Sequence, residues 1–160
     1  MNFQEITSGP VGELRIYKTY LDGKKEIVFE GKNLIVTTGK SILLNQLYYT
    51  SVSGNPLSHA KIGRGGAIDP GGVFPQVPTR DMTDLYDPIT SVPILKTDED
   101  ITIPSITLMA NVDNGVANGE YINEAGFFAV SGDMFNIKTF PRILKKSSFS
   151  LNLEWVIKML

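Results

Sequence analysis

Alternation of side chains from Glu120 to Leu160 constrains the fold of this chain more than any other feature. Tyr121, Asn123, Ala125 and Phe127 alternate with Ile122, Glu124 and Gly126. Ser148, Ser150, Asn152 and Glu154 alternate with Phe149, Leu151, Leu153 and Trp155. A period of two marks a strand with one buried and one wet face. Three such runs separated by turn residues predict an antiparallel β scaffold.

The rest of the chain extends that pattern. Glu13–Tyr20 and Lys24–Glu30 flank Leu21-Asp22-Gly23, and an Asp-Gly between two β-prone runs predicts a hairpin because both residues tolerate positive φ. Gly31 is read as punctuation before a further short run, Lys32–Thr37. His59–Gly65, Ile89–Lys96 and Asp100–Val112 also read as strands, with Pro104 marking an edge or a bulge in the last of these. Asp113-Asn114-Gly115 and Asn118-Gly119 supply turn chemistry. Between Gly39 and Thr50 the period changes: Ile42, Leu43, Gln46, Leu47 and Tyr49 fall at helical spacing behind Thr38, a candidate N-cap. The expectation is eight to ten short strands and one helix of about three turns.

Gly65–Pro88 stands apart. Its prolines at 70, 75, 78 and 88 lack the backbone donor a central strand needs. A loop of this length inside a compact domain usually carries a function, and Phe74, Val77, Leu85 and Tyr86 are embedded in it. These features predict one domain over residues 1–160: an antiparallel β-sandwich, with a jelly-roll arrangement as its variant, one covering α-helix, an N-terminal arm over residues 1–12 and a long interaction loop over residues 65–88.

Composition narrows the function. At 160 residues the chain can bury a core unaided. A net charge of −2 gives no electrostatic reason to expect nucleic acid. The one basic cluster, Arg142, Lys145 and Lys146 beside Pro141, reads as a solvated hairpin end. With no cysteine, disulfides, thiolate nucleophiles and Cys-type metal sites are excluded. No basic segment followed by an apolar run opens the sequence, and no apolar stretch reaches the roughly 18–20 residues of a membrane span. Folding in the cytosol, with no membrane partner, is the expectation.

Catalytic motifs start and fail. Gly39-Lys40-Ser41 sits where a phosphate loop ends, but Leu34 occupies the position of the glycine such a loop needs five residues earlier. Gly63-x-Gly65 meets Ile68 where a dinucleotide fingerprint requires a third glycine. His59 is the only histidine, which excludes a zinc site with two imidazoles in one subunit. Asp81, Asp84 and Asp87 could hold calcium or serve glycoside hydrolysis, yet their spacing does not match an EF-hand and they read as solvated loop carboxylates. Glu124, in a half-buried strand, needs Lys138, Arg142 or backbone amides as partners. No enzyme activity, metal or cofactor is expected.

Four segments carry a family resemblance. INEAGFF, Ile122–Phe128, resembles the (I/L)-x-E-x-G-(L/F)-F element of small tail-associated and collar-type structural proteins of tailed bacteriophages. FNIKTFPRILKKSSFSLNLEWVIKM, Phe135–Met159, is similar to the turn and final strand that follow it. NLIVTTGKSILLNQL, Asn33–Leu47, resembles the approach to their single helix, and HAKIGRGG, His59–Gly66, their I-x-x-(I/V)-G-x-G strand. The matches keep the family's order; the Gly65–Pro88 segment departs from it in its proline and aspartate content.

The resemblance implies a non-enzymatic virion component. Such a subunit would be a β-sandwich in a ring or fibre-base homo-oligomer, in contact with other tail or neck proteins and assembled in the bacterial cytoplasm. Collar, neck, tail and baseplate stations all remain open. Closed rings need outward apolar or edge surfaces. Phe3, Ile6 and Val11 in the first twelve residues, and Phe74, Val77, Leu85 and Tyr86 in the long loop, are the candidate interface residues. The alternative is a receptor- or glycan-binding module of a tail fibre or tail tip, stacking sugars on Tyr48, Tyr49, Tyr86 and Phe127.

Overall fold

The computed structural model describes residues 10–48, 54–100, 102 and 104–159. It contains eight strands and one helix in chain order: β1 (Pro10–Tyr20), β2 (Lys25–Ile35), α1 (Thr37–Tyr48), β3 (Leu57–Gly63), β4 (Pro88–Asp100), β5 (Ser105–Val112), β6 (Tyr121–Ala129), β7 (Asn136–Leu144) and β8 (Phe149–Met159). The mainly antiparallel β class and the single helix agree with the sequence. The sandwich does not. The strands close into one barrel in the order β1-β2-β7-β6-β3-β4-β5-β8, every pair antiparallel. β8 joins the two halves by pairing along its whole length with β1 and along most of it with β5. A continuous ring has no second layer to stack upon, so neither a sandwich nor a jelly roll describes it.

Alternation places the core inside the ring. Phe149, Leu151, Leu153, Trp155 and Ile157 of β8 point inward with Leu14 and Ile16 of β1 and Leu108, Ala110 and Val112 of β5. An eight-strand barrel is just wide enough for side chains to fill. Trp155 and Phe127 lie at its centre, ring centroids 4.1 Å apart. The small Ala60, Ala110 and Ala125 make room for them.

Local signals explain the connections. Gly23 takes φ +84° in the β1–β2 turn, where Gly23 N–H donates to the Tyr20 carbonyl at 2.9 Å. Gly31 does not punctuate; β2 runs through it, and the missing side chain leaves space for Phe29 and Lys138. Pro104 lies in the turn between β4 and β5 rather than in a strand. Pro141 sits inside β7, where the β6–β7 register is irregular after Ile122. The helix starts at Thr37, and Ile42 and Leu43 join the core from one end of the barrel. It docks closely: a Cβ on Gly39 would lie 2.0 Å from the Phe135 carbonyl oxygen.

Closure is uneven. β2 and β7 pair only through Leu34–Ile137 and Ile35–Asn136, at the helix end. Farther along they part, and Phe29 and Phe140 fill the gap with ring centroids 5.5 Å apart.

Candidate interaction surface

The long loop between β3 and β4, residues 64–87, is a strap bound to the barrel wall. Its two ends meet: Arg64 N–H donates to the Asp87 carbonyl at 2.9 Å, and Arg64 Nε to Asp87 Oδ2 at 2.8 Å. Glu124, fully buried on β6, holds both ends and their neighbour. Its Oε1 accepts from Gly65 N–H at 2.9 Å and Asp87 N–H at 2.8 Å, and its Oε2 from Tyr86 N–H at 2.9 Å. Three backbone donors satisfy a carboxyl that burial would otherwise penalise. Of the partners the sequence offered, backbone amides are the ones used. Lys138 instead lies over the Phe29 ring and Arg142 over the Tyr121 ring.

Further anchors spread along the strap. Asn123 Oδ1 accepts from Gly66 N–H at 2.7 Å. Arg142 N–H donates to the Gly72 carbonyl at 2.9 Å, and the Thr139 hydroxyl to the Gln76 carbonyl at 2.6 Å. Thr37 N–H, at the start of α1, donates to the Arg80 carbonyl at 2.8 Å. Asp69 folds the tip by accepting from Val73 and Phe74 N–H, and these backbone bonds hold its carboxyl below the usual carboxylate range. Glycines let the chain lie flat. A Cβ on Gly66 would sit 2.3 Å from the Asn123 carbonyl oxygen.

Under the strap lies a second apolar cluster outside the barrel: Val36, Leu85, Phe128, Met134 and Ile137. It explains why β6 is buried on both faces after its first residue. The sequence reads β6 as half wet, but Ala125 and Phe127 fill the barrel while Glu124, Gly126 and Phe128 meet the strap. The register irregularity after Ile122 also brings Ile122 into the inner set with Ala125, against simple alternation.

The strap sorts the expected interface residues. Leu85 is 5% exposed and belongs to the second cluster. Phe74 and Val77 point outward, 65% and 83% exposed, beside Ile68 and Val73, and Tyr86 is 41% exposed. Val11 is half-buried within β1, and Pro10 to Gly12 form the start of that strand. Phe3 and Ile6 lie outside the described residues, as does Tyr49. Of the aromatics considered for sugar stacking, Phe127 is sealed in the barrel against Trp155 and only Tyr86 has a described, exposed ring.

The other candidate residues do not converge. Asp84 pairs with Lys61 at 2.9 Å, Asp87 with Arg64, and Asp81 accepts from the Thr79 hydroxyl. Among the described residues no group of three or more histidine or acidic side chains is placed to hold a metal ion. His59 stacks on Phe128 at 5.6 Å, and its Nδ1 lies 2.8 Å from the Ser58 hydroxyl; burial holds its pKa below the usual histidine value. The basic cluster is not a uniformly solvated hairpin end. Lys145 is fully buried, and its ammonium donates to Asn118 Oδ1 at 3.1 Å, the Lys146 carbonyl at 3.1 Å and the Asn114 carbonyl at 3.5 Å. No described helix is long and apolar enough to cross a membrane.

No protein-family model, curated protein or solved structure matches this chain. Sequence reasoning identified Glu124 as needing a partner, with backbone amides offered beside Lys138 and Arg142, but missed Asn123 and Asn136 as anchors. Asn136, whose Oδ1 accepts from Phe127 N–H at 2.8 Å, opens β7. The legible signal for Asn123 was an amide beside Glu124 in an otherwise apolar strand.

Proposed function

We propose that this chain is a non-enzymatic structural component of a tailed-phage virion: an oligomeric connector subunit of the collar, neck, tail or baseplate, made and assembled in the bacterial cytoplasm. The observation that carries the reading is the fastened strap. It holds Ile68, Val73, Phe74 and Val77 in water on a backbone tied to Glu124, Asn123, Thr139 and Thr37. Exposed apolar groups cost solubility, and a preordered surface loses little entropy when a neighbour covers it. The ordered run of segments similar to tail and collar proteins supports the virion setting.

Sedimentation of the purified chain, followed by its localisation in imaged phage particles, tests the proposal. An oligomer that incorporates into a tail or neck is expected. A chain that stays monomeric at its highest soluble concentration and is missing from particles overturns it. Phe74→Ser with Val77→Ser touches none of the strap's anchors, so it should weaken assembly while leaving the fold intact.

A further inference from the structure

The connection between β5 and β6 carries two Asn-Gly pairs, Asn114-Gly115 and Asn118-Gly119. An asparagine before glycine can be attacked by its own backbone. The next nitrogen can close a five-membered ring on the side-chain carbonyl carbon, and glycine has no Cβ to block the approach. Sequence makes the two pairs equal; the hydrogen bonds around them do not.

At Asn118 every reacting group is held. Its Nδ2 donates to the Asn114 carbonyl at 2.7 Å, and its Oδ1 accepts from the buried Lys145 ammonium at 3.1 Å. The nucleophile, Gly119 N–H, donates to the Lys145 carbonyl at 2.9 Å, and Gly119 sits at φ +86°. The ammonium draws density from the Asn118 carbonyl, which favours attack. Closing the ring nevertheless turns the side chain toward Gly119 and away from both of its partners.

At Asn114 the nucleophile is free. Gly115 is exposed, and its N–H has no acceptor among the described residues. The turn closes around it through Val116 N–H, which donates to the Asp113 carbonyl at 3.0 Å. A Cβ on Gly115 would meet nothing within 4 Å, so the ring has room to form. One bond holds the side chain: Nδ2 donates to the Ser147 carbonyl at 3.0 Å. Exposure alone would choose Asn118, which lies in water while Asn114 is half-buried. Hydrogen bonding reverses that order, since each bond kept in the ground state and lost on attack slows the reaction by about tenfold.

We propose that Asn114 is a self-modifying site, which deamidates in the folded chain with water as the only co-reactant and so cuts the tie between the β5–β6 and β7–β8 turns. The Gly115 nitrogen gives its proton to water or hydroxide and bonds to Asn114 Cγ. The Cγ–Nδ2 bond breaks and the nitrogen leaves as ammonia. One water then opens the cyclic imide at either carbonyl, leaving aspartate or isoaspartate at position 114. The lost nitrogen is the one that donates to Ser147, and the new carboxylate faces that carbonyl instead. Isoaspartate also adds a methylene to the backbone beside the Asn114 carbonyl, which accepts from Asn118 and Lys145. The reading is independent of what the chain assembles with.

Ageing the full chain in mildly alkaline buffer, with peptide mapping by mass spectrometry, tests it. Exchange of NH₂ for OH is expected at Asn114 at least about tenfold faster than at Asn118. In urea, where both pairs lose their partners, the two rates should converge. Gly115→Ala, at a glycine without positive φ and with open space for a Cβ, should fold as wild type and slow the exchange at Asn114. Asn114→Asp, which has the charge of the product, should melt at a lower temperature than wild type. Equal rates in the folded chain, or a faster Asn118, overturn the proposal. So does an Asn114 that reacts only in urea, a Gly115→Ala chain that deamidates as fast as wild type, or an Asn114→Asp chain as stable as wild type.

Discussion

Glu124 Oε2 accepts the Tyr86 backbone N–H at 2.9 Å, so a carboxyl on the barrel wall fixes the residue where the strap returns to β4. The other oxygen holds Gly65 and Asp87 in the same way. One side chain therefore ties both ends of the 64–87 strap to the barrel wall, and Asn123, Thr139 and Thr37 hold it between.

Glu124→Gln keeps one acceptor and turns the other into an N–H₂ group facing backbone donors. A buried donor facing a donor loses the bond and the solvation together, a cost of about 2–3 kcal/mol. Urea unfolding should show that loss, and limited proteolysis should cut within 64–87 faster than in wild type. Equal stability and equal cutting would mean that Glu124 does not hold the strap.

Lys145→Met removes three hydrogen bonds from one buried nitrogen. The carbonyls of Asn114 and Lys146 lose that donor, and destabilisation of about 2–3 kcal/mol is expected by thermal unfolding. Lys145→Arg should not restore it, since the planar guanidinium cannot reproduce the ammonium's donor directions.

Gly39→Ala should destabilise although it lies in a helix, where alanine ordinarily gains about 1 kcal/mol over glycine. The added Cβ would meet the Phe135 carbonyl oxygen at 2.0 Å, so the helix must move off the barrel end. A fall in melting temperature is expected; a rise would show that the helix is not seated there.

His59 contributes a pH dependence whose sign is fixed. Burial and the nearby Lys61 hold its pKa below 6.5 in the folded chain. Between the folded and unfolded values the unfolded chain binds more protons, so stability rises with pH. The contribution is complete above pH 6.5 and is lost as pH falls through the folded value. His59→Phe, which preserves the stack on Phe128, should flatten the stability profile below that pH in urea titrations.

Much of the fold was legible because it is written in local periodicity. The inward set of β8, the Asp22-Gly23 turn and the change of period at the helix follow from side-chain spacing and from the conformations that glycine permits. The strap was visible as a segment unable to be a central strand, and its outward Phe74 and Val77 were recognisable as apolar groups in a polar stretch. Leu85 looks the same in sequence yet is buried, because exposure within a loop depends on what the loop lies against. Glu124 announced itself as a carboxyl in need of donors, while the donors came from residues about forty to sixty positions away.

The sequence by itself determined the strand character, the single helix and the apolar lining, since each depends on neighbours one to four residues apart. Only the tertiary structure decided that the strands close into a barrel rather than stack as two sheets. Closure depends on β8 meeting both β1 and β5 and on β2 reaching β7; the β1–β8 and β2–β7 pairings join residues more than a hundred positions apart. Backbone hydrogen bonds are chemically alike at every residue, so alternation states which side chains face inward but not which strand lies alongside. That choice belongs to twist, register irregularities and the packing of Trp155 and Phe127 inside one closed wall.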